Sequence, residues 1–194
     1  MPVEEVFPSF LMVEENKKLA RELLPLCNKY TEMTTNNCLH IENFPSTLYD
    51  KEFERQVMEE PVVKDAFDFI IKNYLQTFLN HRGIGLPTNL KPFGFFSSME
   101  KYAYLRKHCH LDCLFSGIIY LEVGENVPPL ILYDSKPVRN FVNYPVDPNL
   151  NVVDFPLKVI PPKEGLFLLW DSYLEHEVPQ KMNNNPRKTF VFNL

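Results

Sequence analysis

Residues 108–113 of this 194-residue chain read His-Cys-His-Leu-Asp-Cys. Two imidazoles, a carboxylate and two thiols within six positions can bind a metal, carry redox chemistry, or simply crowd a loop. If the stretch leads into the apolar run that follows as a strand, side chains alternate between faces, and His110 and Asp112 point the same way. His108 shares that face, but it stands roughly 13 Å from Asp112 along an extended chain. The pair expected to share one cation is therefore His110 with Asp112. A third ligand has to come from elsewhere, and the remaining histidines are His40, His81 and His176. His176 follows an apolar run in the second half of the chain, whereas His40 and His81 lie in a helical first half. Two histidines and one carboxylate make the facial set that leaves positions open on Fe(II) for a chelating substrate and O2. Other readings stand beside it. A His-x-Asp also arises by chance, and His176, between Glu175 and Glu177, also suits a surface. A zinc site using Cys109 and Cys113 would need thiols that point away from His110, without a CxxC pair to complete a tetrahedron. As small apolar fillers the cysteines need no metal.

Eleven residues after His176 comes Arg187, at the start of the terminal apolar run, with Thr189 two positions on. A guanidinium entering a buried strand is costly unless it meets an anion. Its fork fits a carboxylate, and a hydroxyl on the same face adds a hydrogen bond. A surface arginine at a strand mouth is the plainer alternative.

The elements that must position these groups change character near residue 90. Before it, residues 13–24 (VEENKKLARELL) predict a helix stopped by Pro25, and a second helix is expected near 47–60. Val63, Phe67, Ile70, Ile71, Tyr74, Leu75 and Phe78 recur at helical spacing over 61–82. Pro61 suits the first turn of that helix and Gly83 its end. After residue 90, short β-rich runs (FGFFSS, CLFSGIIYLEV, PLILYD, NVVDFPLKVI, GLFLLW, KTFVFNL) alternate with Pro, Asn and Asp. That texture predicts a sandwich, jelly roll or barrel. Residues 134–151 read as a long loop of the kind that often covers a site. The chain has 17 Pro and 6 Gly, consistent with many stiff connections. A net charge of −5 with scattered cations argues against nucleic acid as a partner. The N-terminus shows no signal peptide, and no apolar run reaches membrane length. Four cysteines without a signal read as reduced thiols, which predicts a cytoplasmic protein.

Taken in order (His-x-Asp, about sixty residues, His, eleven residues, Arg-x-Thr), the pattern resembles the Fe(II)/2-oxoglutarate-dependent dioxygenase superfamily over residues 95–194. It looks closest to a branch of small bacterial and phage-type oxygenases, with prolyl-hydroxylase-like enzymes as relatives. The resemblance implies a mainly β fold with N-terminal helices: one domain over 1–194, with 1–90 as helical support and 91–194 as a double-stranded β-helix (jelly roll, cupin-like) core. It implies Fe(II) on the catalytic residues His110, Asp112 and His176. Arg187 and Thr189 would grip the far carboxylate of 2-oxoglutarate, with Tyr120 of SGIIYL as a third contact. It further implies O2 consumption, succinate and CO2 release, stimulation by ascorbate, and hydroxylation of an amino-acid, peptidyl or small-molecule substrate. Beside the resemblance, His108 is a candidate to meet substrate or to support His110 from behind, with a solvated loop histidine as the plain alternative, and Arg139 in the long loop is a candidate contact for a substrate anion. The competing expectation is a non-catalytic metal-binding cupin-like or interaction domain.

Overall fold

The computed structural model describes residues 9–134 and 157–194. Arg139 and nearly all of the expected loop 134–151 lie outside the described residues. Two antiparallel sheets face each other. The larger orders its strands β1 (Leu11–Glu15), β7 (Leu166–Asp171), β4 (Phe115–Val123), β9 (Arg187–Asn193), β2 (Phe93–Ser98). The smaller orders β3 (Leu105–His108), β8 (His176–Val178), β5 (Leu130–Tyr133), β6 (Leu157–Ile160). This is the two-sheet β architecture that the second half of the sequence predicts.

The larger sheet is buried on both faces. One face meets the helices through Phe96, Ile119, Phe167, Phe190 and Phe192, packed with Leu23, Phe67 and Ile70. The other faces the smaller sheet through Phe95, Ile118, Tyr120, Leu168 and Trp170. That double burial explains why Phe115–Leu121 is an unbroken buried run rather than an alternating one. It also demands close layers: a Cβ at Gly117 would meet the Phe192 ring at 2.1 Å.

The helical half departs from its expectation at the start. Residues 11–15 pair with β7 as a strand, and helix α1 runs Lys17–Met33, with Pro25 inside it. Asn16 caps it, its Oδ1 accepting from Leu19 N at 3.0 Å. Pro25 removes one backbone hydrogen bond. Its ring, however, is exposed, while Leu19, Leu23, Cys27 and Tyr30 continue one buried stripe across it. Burial of that stripe outweighs the missing bond. Helix α2 (Lys51–Glu59) is capped by Asp50, whose Oδ1 accepts from Phe53 N. Next, α3 (Pro61–Phe69), a π-helical segment (Ile70–Leu75) and α4 (Gln76–His81) follow without a break. Gly83, at φ +68°, ends them: its N–H donates to Asn80 O and that of Ile84 to Leu79 O, the expected glycine stop. Among the described residues no helix is long and apolar enough to cross a membrane.

Candidate active site

The site lies between the two sheets, and a backbone irregularity starts it. Strand β3 pairs with β8 at Leu105↔Val178 and again at His108↔His176. Three steps on β3 thus match two on β8, a bulge in β3. A bulge re-aims the side chains beyond it. Here it brings His108 into the same cavity as Leu105, directly opposite His176. The chain then leaves extended form, and 109–114 is a bent connection to β4. Two backbone bonds fasten that connection to the turn after β7: His110 N to Ser172 O at 3.0 Å and Ser172 N to Leu114 O at 3.1 Å.

This geometry assembles three imidazoles. Ring centroids of His108, His110 and His176 lie 5.2, 4.3 and 5.1 Å apart, and one ring nitrogen from each falls within 4.8 Å of the others. Their hydrogen bonds fix which nitrogens are free. His108 Nδ1 meets Arg106 O at 2.8 Å, His176 Nδ1 meets Leu174 O at 3.0 Å, and His110 Nδ1 meets Asn193 Oδ1 at 2.8 Å. A carbonyl oxygen only accepts, so each Nδ1 carries the proton and donates. All three Nε2 atoms are then bare lone pairs turned inward. Those of His108 and His110 stand 3.3 Å apart. The arrangement suits a cation, and backbone or amide oxygens behind metal-binding histidines are the usual orienting partners. Protonation is no substitute. Burial and the two neighbouring histidines pull His176 down to about 3, and burial lowers His108 as well.

Of the residues expected from sequence, His110 and His176 are brought together. Asp112 lines the same cavity but is exposed in the bent connection and lies outside the group of three imidazoles, whose third member is His108. The alternation that pairs His110 with Asp112 requires a strand through residue 113, whereas β3 ends at His108. His81 packs against Phe10 on the helical side.

The same cavity, about 590 Å³, reaches Arg187 and Thr189. Arg187 is buried, with Nε donating to Pro128 O at 3.3 Å and a terminal nitrogen to Tyr120 Oη at 3.4 Å. Its guanidinium lies 5.2 Å from the centre of the Tyr120 ring. Among the described residues no carboxylate pairs with it, and burial works against its charge. Thr189 Oγ1 shares a 2.8 Å hydrogen bond with Ser97 Oγ. Tyr120 is fully buried and stands behind Arg187 rather than on the cavity wall. Two wall residues escape a reading of the sequence. Ser97 alternates with Phe95 on β2, and Asn193 lies at the end of the series Arg187, Thr189, Val191, Asn193, every second residue of β9. Carrying the period-two count of β9 to its end finds Asn193. Cys109 and Cys113 also line the cavity, as does the buried thiol of Cys38, while Cys27 is buried elsewhere; all four are free thiols.

The model of the family described as "Putative 2OG-Fe(II) oxygenase" matches residues 95–193, more than half of the chain, including the three histidines, Asp112, Arg187 and Thr189. The chain belongs to the 2OG-Fe(II) oxygenases. Fe(II) and 2-oxoglutarate are the cofactor and cosubstrate of that family, and the clustered imidazoles and Arg187, which has no carboxylate partner among the described residues, fit a cation and a dicarboxylate. No curated protein sequence matches the chain. Among solved structures the oxygenase is similar in fold to a Pseudomonas putida prolyl-4-hydroxylase (TM-score 0.62, 16% identity, 94% of this chain and 90% of that one). It is also similar to HygX from Streptomyces hygroscopicus with nickel and 2-oxoglutarate bound (TM-score 0.61, 14% identity, 95% and 83%). A third is a Trichoplax adhaerens prolyl hydroxylase in complex with a hypoxia inducible factor peptide fragment (TM-score 0.58, 15% identity, 94% and 82%). At these identities the likeness is one of fold, the double-stranded β-helix expected from the sequence.

Proposed function

We propose that this oxygenase hydroxylates its substrate at an iron held by His108, His110 and His176. With iron, O2 and 2-oxoglutarate bound, one oxygen atom enters a C–H bond of the substrate and the other enters succinate as CO2 leaves. The protein's part is placement and charge. The carbonyl oxygens of Arg106 and Leu174 can only accept, so they hold His108 and His176 in one tautomer. The Nε2 lone pairs are therefore ready before metal arrives.

Three neutral imidazoles leave the full charge of the metal uncompensated, which favours an anionic chelator. Arg187 waits at the other end of the cavity for the second carboxylate, with Thr189 and Ser97 offering hydroxyls beside it. Tyr120 acts through Arg187, holding the guanidinium from behind. Cytoplasmic conditions, with O2 as oxidant and ascorbate keeping iron ferrous, fit this chemistry.

The observation that carries the reading is the convergence of three unprotonated Nε2 atoms in one cavity with a buried guanidinium that has no carboxylate partner among the described residues. An all-imidazole set with an open position also suits catalytic zinc, but zinc hydrolysis gives Arg187 no task. Purified protein with Fe(II), ascorbate and 2-oxoglutarate should release succinate slowly even without substrate, and His176→Ala should abolish that release. Release no greater than in a metal-free control would overturn the proposal.

A further inference from the structure

A second cleft, of about 490 Å³, lies between the 39–43 segment and Tyr102, Tyr104 and Arg106. Leu39 lines both this cleft and the metal cavity. Strand β3 is their shared wall: Leu105 and His108 face the cavity, while Arg106, with Tyr104 just before the strand, faces the cleft. β3 is also the edge strand of its sheet.

The chemistry of the cleft is that of a surface waiting for a chain. Tyr102 is 52% exposed, and Leu111, at the mouth of the metal cavity, is 82% exposed. Rigid aromatic faces such as that of Tyr102 contact backbone and side chains at low entropic cost. Arg106 is exposed, and its guanidinium is braced by Tyr104, donating to Tyr104 Oη at 3.1 Å and lying 5.7 Å from the ring centre. Among the described residues no carboxylate pairs with it. Its neighbour Lys107 differs, being neutralised by Glu175 at 3.0 Å. Glu42 is the one acidic residue in the cleft wall, and it forms no ion pair with Arg106. A small metabolite held in the metal cavity would not reach this cleft, whereas an extended chain passing over Leu39 would cover both.

We propose that the substrate is a polypeptide whose modified residue enters the metal cavity while an acidic side chain a few residues away seats on Arg106 and Tyr104. This rests on the oxygenase reading above. Tyrosines and cations also suit single-stranded nucleic acid, but among the described residues Arg106 is the single cation in the cleft wall, enough for one acidic side chain and too little for a run of phosphates, which favours a peptide.

The test is a random decapeptide library incubated with the Fe(II)-loaded protein, 2-oxoglutarate and O2, with products that have gained one oxygen atom sequenced by mass spectrometry. Succinate is measured in the same samples. Asp and Glu should be enriched about threefold at a fixed offset from the modified residue, the size expected of an exposed ion pair. Arg106→Gln should erase the enrichment, and Arg106→Glu should replace it with Lys and Arg, a gain that damage to folding cannot mimic. An unmodified library while succinate is still released, or an acidic preference that survives Arg106→Glu, would overturn this proposal alone. Inhibition of peptide modification by a dodecathymidylate but not by an acidic peptide would also overturn it. Loss of succinate release itself would count against the oxygenase reading instead.

Discussion

The two ends of the main cavity are built differently. At the histidine end every orienting hydrogen bond is made, at 2.8–3.0 Å, before any ligand arrives. At the arginine end the guanidinium has two long contacts, 3.3 and 3.4 Å, and is buried without a carboxylate partner among the described residues. The first end suits a cation and the second an anion. Once a metal fills the first, both ends attract negative charge, and a dicarboxylate that chelates one and reaches the other satisfies them together. Preorganisation therefore belongs to the metal site, whereas the arginine end depends on its ligand.

That contrast predicts unequal responses to mutation. Arg187→Gln should weaken 2-oxoglutarate binding by about 2–5 kcal/mol, the usual cost of truncating one partner of a buried charge pair. Metal affinity should stay within about threefold, because the imidazole contacts do not involve this side chain. Calorimetric titration of metal and then of 2-oxoglutarate separates the two effects, and equal loss of both would erase the distinction between the ends. Asn193→Ala should act on the other end. Freed of its acceptor, His110 can turn or change tautomer, and metal affinity should fall about tenfold, as for other orienting partners of metal ligands. An unchanged affinity would mean that Ser116, 3.1 Å from His110 Nδ1, suffices. The smallest effect concerns the thiols. Burial pushes Cys27 and Cys38 up to about 12, so only Cys109 and Cys113 should be alkylated in the folded metal-free protein. Bound metal and 2-oxoglutarate should slow that labelling, read by peptide mass mapping, and labelling of Cys27 or Cys38 at the same rate would show that the core is open.

Much of this is legible in the sequence, and the failures have local causes. Strand-forming runs after residue 90 are readable because double burial leaves long apolar stretches such as Phe115–Leu121. Residue type and order single out His110, Asp112, His176, Arg187 and Thr189, and all five line one cavity. The grouping of His108 with His110 and His176 is hidden because a bulge between Leu105 and His108 and the end of β3 are set by pairing with β8, which no local pattern reveals. Pro25 misleads in a related way: a local breaker lies on the exposed face of a helix held by a distant sheet. Tyr120, which the resemblance puts at the cosubstrate, has its buried hydroxyl on Arg187.

The central claim is that three imidazoles, and no carboxylate, hold the iron. Anaerobic Fe(II) titration of the native protein, His108→Ala and Asp112→Asn tests it most directly. His108→Ala should lose at least about a hundredfold in affinity, beyond what an orienting partner alone would cost, while Asp112→Asn should bind iron like the native protein. Full binding by His108→Ala, with loss in Asp112→Asn, would contradict it.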